Sequence, residues 1–167
     1  NSEIFPYQSL FGLDEGSFTD LMSSIFEEEI EDQPWFLDYW YICEVNQAPA
    51  AGCCGWVESV EGVSSDMLKT QILSALLGNK FHENLPLLTE VSKISIPRKP
   101  GTLQLEHLYT EPTFRGTGCM RFLLQNIGNN HTTIQHEIQL LQNNVVALEF
   151  YKKIGFTLFD KINIIVN

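Results

Sequence analysis

The sequence predicts an α/β sandwich built on a mixed sheet, and three observations support this fold class. The length of 167 residues corresponds to one domain, which we expect to span residues 1–167. Hydrophobic residues make up 44% of the chain and charged residues 19%, a balance typical of a globular protein. The second half of the chain alternates strand-like and helix-like patterns, which favours helices packed on a sheet.

In the first half, the patterns predict two helices and a hairpin. A helix is predicted over residues 17–30, with Ser17 and Asp20 as a capping box, because apolar residues recur on one face at Phe18, Leu21, Met22, Ile25 and Phe26. Strands over residues 40–45 and 51–60 flank a turn at 46–49. A second helix is predicted over residues 66–77 and ends at Gly78. Prolines interrupt residues 79–101, which we interpret as an irregular excursion over a substrate site.

In the second half, the elements follow one another closely. A strand over residues 103–110 leads through a turn into a helix that ends at Gly128, and a further strand is predicted over residues 134–141. The last helix, residues 144–154, begins at Asn144 and ends before Gly155. A final strand is predicted over residues 156–166.

Charge and cysteine content exclude several function classes. The chain has 10 basic and 21 acidic residues, a net charge of −11, which argues against nucleic-acid binding. The acidic balance is compatible with cationic partners such as amines, but a solvated acidic surface is the simpler interpretation. No apolar run reaches membrane-spanning length, and the first residues do not have the basic-then-apolar pattern that predicts a signal peptide. The four cysteines have no metal-binding spacing, so we expect no metal and a reducing, cytoplasmic location; they are Cys43, Cys53, Cys54 and Cys119.

The turn before the third predicted helix has the composition of an anion-binding loop. Gly116 and Gly118 allow backbone amides to converge, and the helix that follows adds the partial positive charge of its N-terminus. The loop lacks the Lys-Ser/Thr ending of a P-loop and the spacing of a dinucleotide fingerprint. By itself it is also compatible with an ordinary glycine-rich turn.

Two segments together resemble the GNAT N-acetyltransferase superfamily. Residues 105–118, LEHLYTEPTFRGTG, are similar to its strand-and-turn signature, and residues 144–156, NVVALEFYKKIGF, to its second signature. The resemblance covers residues 103–157. It implies a GNAT fold, in which a mixed and mostly antiparallel central sheet lies between helices as a three-layer α/β/α sandwich. It also implies acetyl-CoA as co-substrate.

The resemblance further implies where coenzyme A lies. Backbone amides of the loop would hold the pyrophosphate; these belong to Arg115, Gly116, Thr117, Gly118, Cys119 and Met120. The pantetheine arm would pair with the backbone of Leu108, Tyr109 and Thr110, and Asn144 would flank the thioester together with Tyr151. The family usually has Gly or Ala at the position of Met120. Met120 begins the apolar stripe of its helix, so we expect its side chain to enter the core and leave the amide free.

Tyr151 and Glu106 are the predicted catalytic residues. The Tyr151 hydroxyl would donate a proton to the departing thiolate; otherwise Tyr151 only fills the inner stripe of its helix. Glu106 would accept a proton from the amine; otherwise its carboxylate is a structural partner at the sheet. His107 is the second candidate base, because a bulge in this strand would change which residues face the site, and a water chain is the third.

The predicted function is therefore an acyl-CoA-dependent N-acyltransferase that most simply transfers acetyl to a primary amine of a small molecule or peptide. A coenzyme A-sensing module without turnover is one alternative. An aminoglycoside-type or O-acyl transferase is the other. We expect no nucleic-acid or membrane partner, and leave open a homodimer.

Overall fold

The computed structural model describes residues 6–93, 96–141 and 143–160, and its chain begins with two helices. These are α1 (Pro6–Leu10) and α2 (Glu15–Glu27). The cap of α2 is Asp14, whose Oδ1 accepts a hydrogen bond from the Ser17 amide at 2.7 Å. The predicted start and capping box at Ser17 are therefore wrong: a carboxylate three residues earlier already satisfies the Ser17 amide.

The predicted hairpin is present, with longer pairing near its turn. Strand β1 (Trp40–Val45) pairs antiparallel with β2 (Ala48–Val57). The turn needs only Asn46 and Gln47, both at positive φ, as the tightest hairpin turns require. Strand β2 therefore starts three residues earlier than predicted. It also ends before residue 60, because Ser59 takes a positive φ in the next turn.

Three helices occupy the stretch between β2 and the next strand. Helix α3 (Ser65–Leu77) agrees with the prediction and ends at Gly78. Helices α4 (Asn79–Glu83) and α5 (Leu85–Ser92) fill much of the stretch that we expected to be irregular. Pro86 does not break α5 because it lies in the first turn, where its missing N–H would have no partner inside the helix.

The second half follows the predicted order of elements. It contains β3 (Leu103–Thr110), α6 (Cys119–Asn130), β4 (His136–Ile138) and α7 (Val145–Lys153). Strand β4 is shorter than predicted, and α6 runs two residues past Gly128. The predicted last strand is absent from 156–160, and its remaining residues, 161–167, lie outside the described residues. Among the described helices, none has the length and apolarity needed to cross a membrane.

The described sheet has four strands in the order β1-β2-β3-β4, with only the β3–β4 pair parallel. On one side of the sheet, α2, α3 and α4 pack together around a first core formed by Phe11, Leu21, Met22, Ile25, Trp35, Ile72, Leu73 and Phe81, and Phe26 of α2 meets Trp40 of β1 edge-on at 6.0 Å. On the other side, the sheet packs on α6 through a second core formed by Cys43, Ala51, Cys53, Leu103, Leu105, Leu123, Leu124 and Ile127. The predicted sandwich of helix, mixed sheet and helix is confirmed.

Candidate active site

The sheet opens along one edge of β3. Among the described residues, the only strand on this side of β3 is β4, which pairs with residues 103–105, while β3 continues to Thr110 with β2 on its other side. The Glu111 amide donates to the Ala50 carbonyl at 2.9 Å, so the peptide groups of β3 alternate between β2 and the open edge. The Thr110 carbonyl faces that edge and accepts a hydrogen bond from Arg115 Nε at 3.3 Å. This part of β3 is available to pair with an extended ligand.

The bulge that the sequence analysis considered lies within β3. Gly52 faces Tyr109 and Cys54 faces Glu106, so β3 holds one residue more than β2 across this interval. His107 takes a φ of 54°, which few non-glycine residues adopt. The simple alternation of side chains along β3 therefore ends at Glu106.

His107 lies in a buried setting beside charged groups. Its imidazole stacks on the Trp40 indole, with ring centroids 5.6 Å apart and planes 8° from parallel. Burial lowers the pKa of His107; the Glu106 charge opposes this, and the Lys69 and Arg98 charges add to it. The pKa is therefore below its ordinary value, and the neutral imidazole predominates at physiological pH.

The glycine-rich loop opens directly into the N-terminus of α6. Gly116 and Gly118 have φ values of 78° and 96°, and a Cβ atom at either position would meet nothing within 4 Å. Gly118 precedes α6 without a side-chain cap, and Phe122 is the first residue to bond back, to the Gly118 carbonyl at 2.9 Å. The first amides of α6 therefore face open space with the positive end of the helix behind them, an arrangement that suits a phosphate.

Side chains around this loop leave the amides accessible. Met120 and Cys119 both pack against the second core, as predicted for Met120. The Thr117 hydroxyl donates to the Phe114 carbonyl at 2.6 Å and lies 3.2 Å from Cys119 Sγ. Met120 thus departs from the usual family residue without placing its side chain over the loop.

Tyr151 packs on the second-core face of the sheet. Its ring meets Phe156 edge-on at 5.9 Å and lies 5.3 Å from the Phe150 ring. Burial, with a smaller contribution from Cys53, raises the pKa of Tyr151 to about 12. The phenol therefore keeps its proton at physiological pH. Asn144 caps α7, its Oδ1 accepting the Ala147 amide at 3.2 Å.

Glu106 belongs to a network of charges on the first-core face. Arg98 donates from Nε to Glu106 Oε1 at 3.0 Å, donates from Nη2 to the same oxygen, and reaches Asp66 Oδ1 at 2.5 Å. Lys69 Nζ lies 2.9 Å from that Asp66 oxygen, and the guanidinium lies 5.6 Å from the centre of the Trp56 ring. We call Lys69, Asp66, Arg98 and Glu106 the charge network.

Within the charge network, opposite charges favour the ionised forms of Arg98 and Asp66. Burial lowers the pKa of Arg98, but Glu106 and Asp66 outweigh it and raise the pKa above its ordinary value. Burial likewise raises the pKa of Asp66, but Lys69 and Arg98 hold it below the usual range. Burial, together with the charges of Glu106 and Asp66, raises the pKa of Tyr7 to about 12, and the Arg98 charge opposes this only in part.

The structure brings the loop residues together with Thr110 but separates the two predicted catalytic side chains. Leu103 and Leu105 belong to the second core with Tyr151, whereas Glu106 faces the helices of the first core. Sequence reasoning missed Arg98, which lies between Pro97 and Pro100. Its partners are 8 and 32 residues away, and no periodic pattern signals such a pairing.

Comparisons with known proteins find a family model for the second half of the chain and solved structures of similar fold. Residues 88–158 match the family model described as an acetyltransferase (GNAT) domain; this stretch holds β3, the loop, α6, β4 and α7. The fold is similar to that of an N-acetyltransferase from Staphylococcus aureus Mu50, with a TM-score of 0.59 and 19% identity over 90% of this chain and 76% of that one. A second solved acetyltransferase gives a TM-score of 0.57 and 15% identity over 92% and 77%. No curated protein sequence matches. Residues 88–158 therefore match a GNAT acetyltransferase domain, and the fold of the chain is similar to that of solved acetyltransferases.

Proposed function

We propose that this enzyme transfers an acetyl group from acetyl-CoA to a primary amine of a small molecule or peptide. The observation that carries the proposal is the open edge of β3, which leads directly to the glycine-rich loop before α6. An extended chain that ends in phosphates fits this combination, because the edge offers peptide groups and the loop offers amides.

The residues at the loop fit the donor. The space beside Gly116 and Gly118 would admit a pyrophosphate, and the amides from Arg115 to Met120 would hold it. The backbone of Leu108 and Thr110 would pair with the pantetheine arm. Acetyl-CoA supplies the activated acyl group when it is bound.

Tyr151 is the proposed proton donor to the departing thiolate. Its raised pKa, about 12, keeps the hydroxyl protonated at neutral pH, as a general acid must be. Its apolar neighbours hold the ring in place, so a single hydroxyl can be presented without burying a charge. The Leu108 amide is the proposed hydrogen-bond donor to the developing oxyanion.

Glu106 remains the first proposed base, with His107 second. Glu106 is a carboxylate in the right strand, although its Oε1 already accepts both hydrogen bonds from Arg98. His107 follows Glu106 in the bulge. Its lowered pKa favours the neutral imidazole, which is the form that can accept a proton. A pH–rate profile of the variants distinguishes the two.

Thiol release from acetyl-CoA tests the activity. The acceptors are polyamines, amino acids, peptides and aminoglycosides, each compared with the enzyme alone and with a Tyr151→Phe control. We expect at least one amine to stimulate thiol release, and the acetylated amine to appear in equal amount by mass spectrometry. Binding of acetyl-CoA without turnover on any amine would instead support the coenzyme A-sensing alternative.

Gly118→Asp tests the donor site separately. Acetyl-CoA at 100 times its Kd should stabilise the wild type by about 2.7 kcal/mol, or roughly 5–10 °C in melting temperature. A carboxylate at position 118 would repel the phosphates and abolish this shift. Gly62→Asp is the matched control, because Gly62 also has a positive φ and open space around it but lies in a remote turn. If a folded Gly118→Asp protein shows the same melting-temperature shift with acetyl-CoA as the wild type, the pyrophosphate does not bind at this loop.

A further inference from the structure

A cavity of about 280 Å³ lies at the end of the sheet away from the glycine-rich loop. Val57, the last residue of β2, and Leu103, the first residue of β3, line it. Thr110, beside the loop, is seven residues further along β3, a distance of roughly 23 Å at 3.3 Å per residue. The cavity is therefore separate from the proposed donor site.

The walls of the cavity combine aromatic rings with carboxylates. Gly55, Val57 and Leu103 contribute apolar surface, and His131 lies at one side. The remaining wall includes two tyrosines and three acidic residues, namely Tyr39, Tyr41, Glu31, Asp32 and Glu61. No lysine or arginine lines the cavity among the described residues. Its charge is therefore strongly negative.

Hydrogen bonds hold these walls in place without a ligand. The Asp32 amide donates to the Tyr39 hydroxyl oxygen at 3.4 Å, and Asp32 Oδ2 accepts from the Glu61 amide at 3.4 Å. The first bond lies within the segment before β1, and the second ties that segment to the turn after β2. On the other side, the Tyr41 hydroxyl lies 3.4 Å from His131 Nε2. The cavity is therefore already formed, so a ligand would not have to order its walls.

We propose that this cavity binds a small organic cation with an ammonium head group. Tyrosine ring faces attract ammonium groups, and this attraction is strongest where water is partly excluded. Carboxylates beside the rings attract a cation, and they give no such attraction to an uncharged ligand of the same shape and repel an anion. A volume near the lower end of the range for ligand sites limits the occupant to a small molecule.

Choline and its uncharged carbon analogue, 3,3-dimethyl-1-butanol, test the site because they differ in charge but hardly in shape. Titrations followed by amide chemical shifts of the full chain should show saturable choline binding that perturbs Tyr39, Tyr41 and Glu61. We expect choline to bind at least tenfold more tightly than the carbon analogue. Equal binding of the two, or no saturable choline binding, would overturn the proposal.

Variants of the walls should weaken choline binding in a defined order. Asp32→Asn should raise the Kd about tenfold; asparagine tolerates the positive φ of 60° at this position, so the fold should survive. Tyr39→Leu should raise the Kd at least as much, whereas Tyr39→Phe keeps the ring and should retain binding. Glu44→Gln, an equal charge change at an exposed position of β1 outside the cavity, is the control.

The melting-temperature shift with acetyl-CoA makes this test independent of the proposed transfer reaction. Asp32→Asn should keep that shift unchanged while its choline Kd rises. An Asp32→Asn protein that retains the shift and binds choline like the wild type would overturn the cation site. Loss of choline binding in the Glu44→Gln control would do the same, because it would indicate attraction to the overall negative charge alone.

Discussion

The two faces of the sheet near β3 place their ionisable groups in opposite settings. On the second-core face, Tyr151 lies among Phe150 and Phe156, and burial raises its pKa to about 12. On the first-core face, Glu106 is held by Arg98, which also reaches Asp66. Apolar surroundings thus keep a proton on Tyr151 on one face, whereas on the other face Lys69 and Arg98 hold the pKa of Asp66 below its usual range.

This difference shows how one strand can serve two kinds of chemistry. Alternation along β3 directs Leu105 to the second core and Glu106 to the charge network. The alternation stops at the bulge around His107, and there β4 has already left the edge of β3. The open edge of β3 therefore begins at the bulge, next to both Glu106 on one face and the second core on the other.

Removing the centre of the charge network should have the largest effect. Arg98→Met leaves Glu106 and Asp66 without their shared cation, and Arg98 is only 10% exposed. We expect the free energy of unfolding to fall by about 3–5 kcal/mol, as for other broken buried ion pairs. Urea unfolding measures the change. Arg121→Met, which removes an exposed cation, is the control and should change stability by less than about 0.5 kcal/mol. A loss below 1 kcal/mol in Arg98→Met would mean that the network is only weakly coupled.

Removing the phenolic hydroxyl should affect rate rather than stability. Tyr151→Phe keeps the ring and its apolar contacts, so the melting temperature should stay close to that of the wild type. The value of kcat should fall on the order of 10²-fold or more, as for a lost general acid. Full activity with a lowered melting temperature would instead show that Tyr151 only fills the second core.

Neutralising Glu106 should affect both rate and stability. As the proposed base, Glu106→Gln should lower kcat/KM on the order of 10²-fold and flatten the acid limb of the pH profile. It should also destabilise the fold, because Arg98 loses one of its two carboxylate partners. The melting-temperature shift with acetyl-CoA should stay the same, since the proposed donor contacts come from the backbone. An acid limb that keeps its shape would assign the base to His107 or to a water chain.

Local signals explain why much of the fold could be predicted. The ends of α3 and α7 follow from Gly78 and Asn144, which act through neighbouring backbone groups. The glycine-rich loop could likewise be found, because Gly116 and Gly118 mark positive φ within a short segment. Each of these features is specified by residues close together in the chain.

Features that depend on long-range contacts could not be predicted. Asp66 and Arg98 are 32 residues apart, and their pairing brings the start of α3 next to the segment that precedes β3. The sequence analysis considered a paired Glu106 and a bulge near His107, but neither the partner nor the exact position follows from local pattern. The charged half of the candidate site is therefore a product of tertiary packing.

The smallest expected effect concerns the pH dependence of the charge network. The Lys69 and Arg98 charges outweigh the opposing effect of burial and hold the pKa of Asp66 below its usual value. A carboxylate with a lowered pKa in the folded state stabilises the fold above its unfolded pKa, near 4, and this contribution is lost as pH falls through the folded value. Asp66→Asn should therefore lower the free energy of unfolding by about 1 kcal/mol or less at pH 7, because Asp66 is half exposed and water screens its charge. The difference from the wild type should shrink toward zero below about pH 4, where the wild-type carboxyl is also neutral. Urea unfolding of both proteins between pH 7 and pH 3 measures this trend. A difference that stays constant across that range would show that Asp66 contributes packing or hydrogen bonds rather than charge.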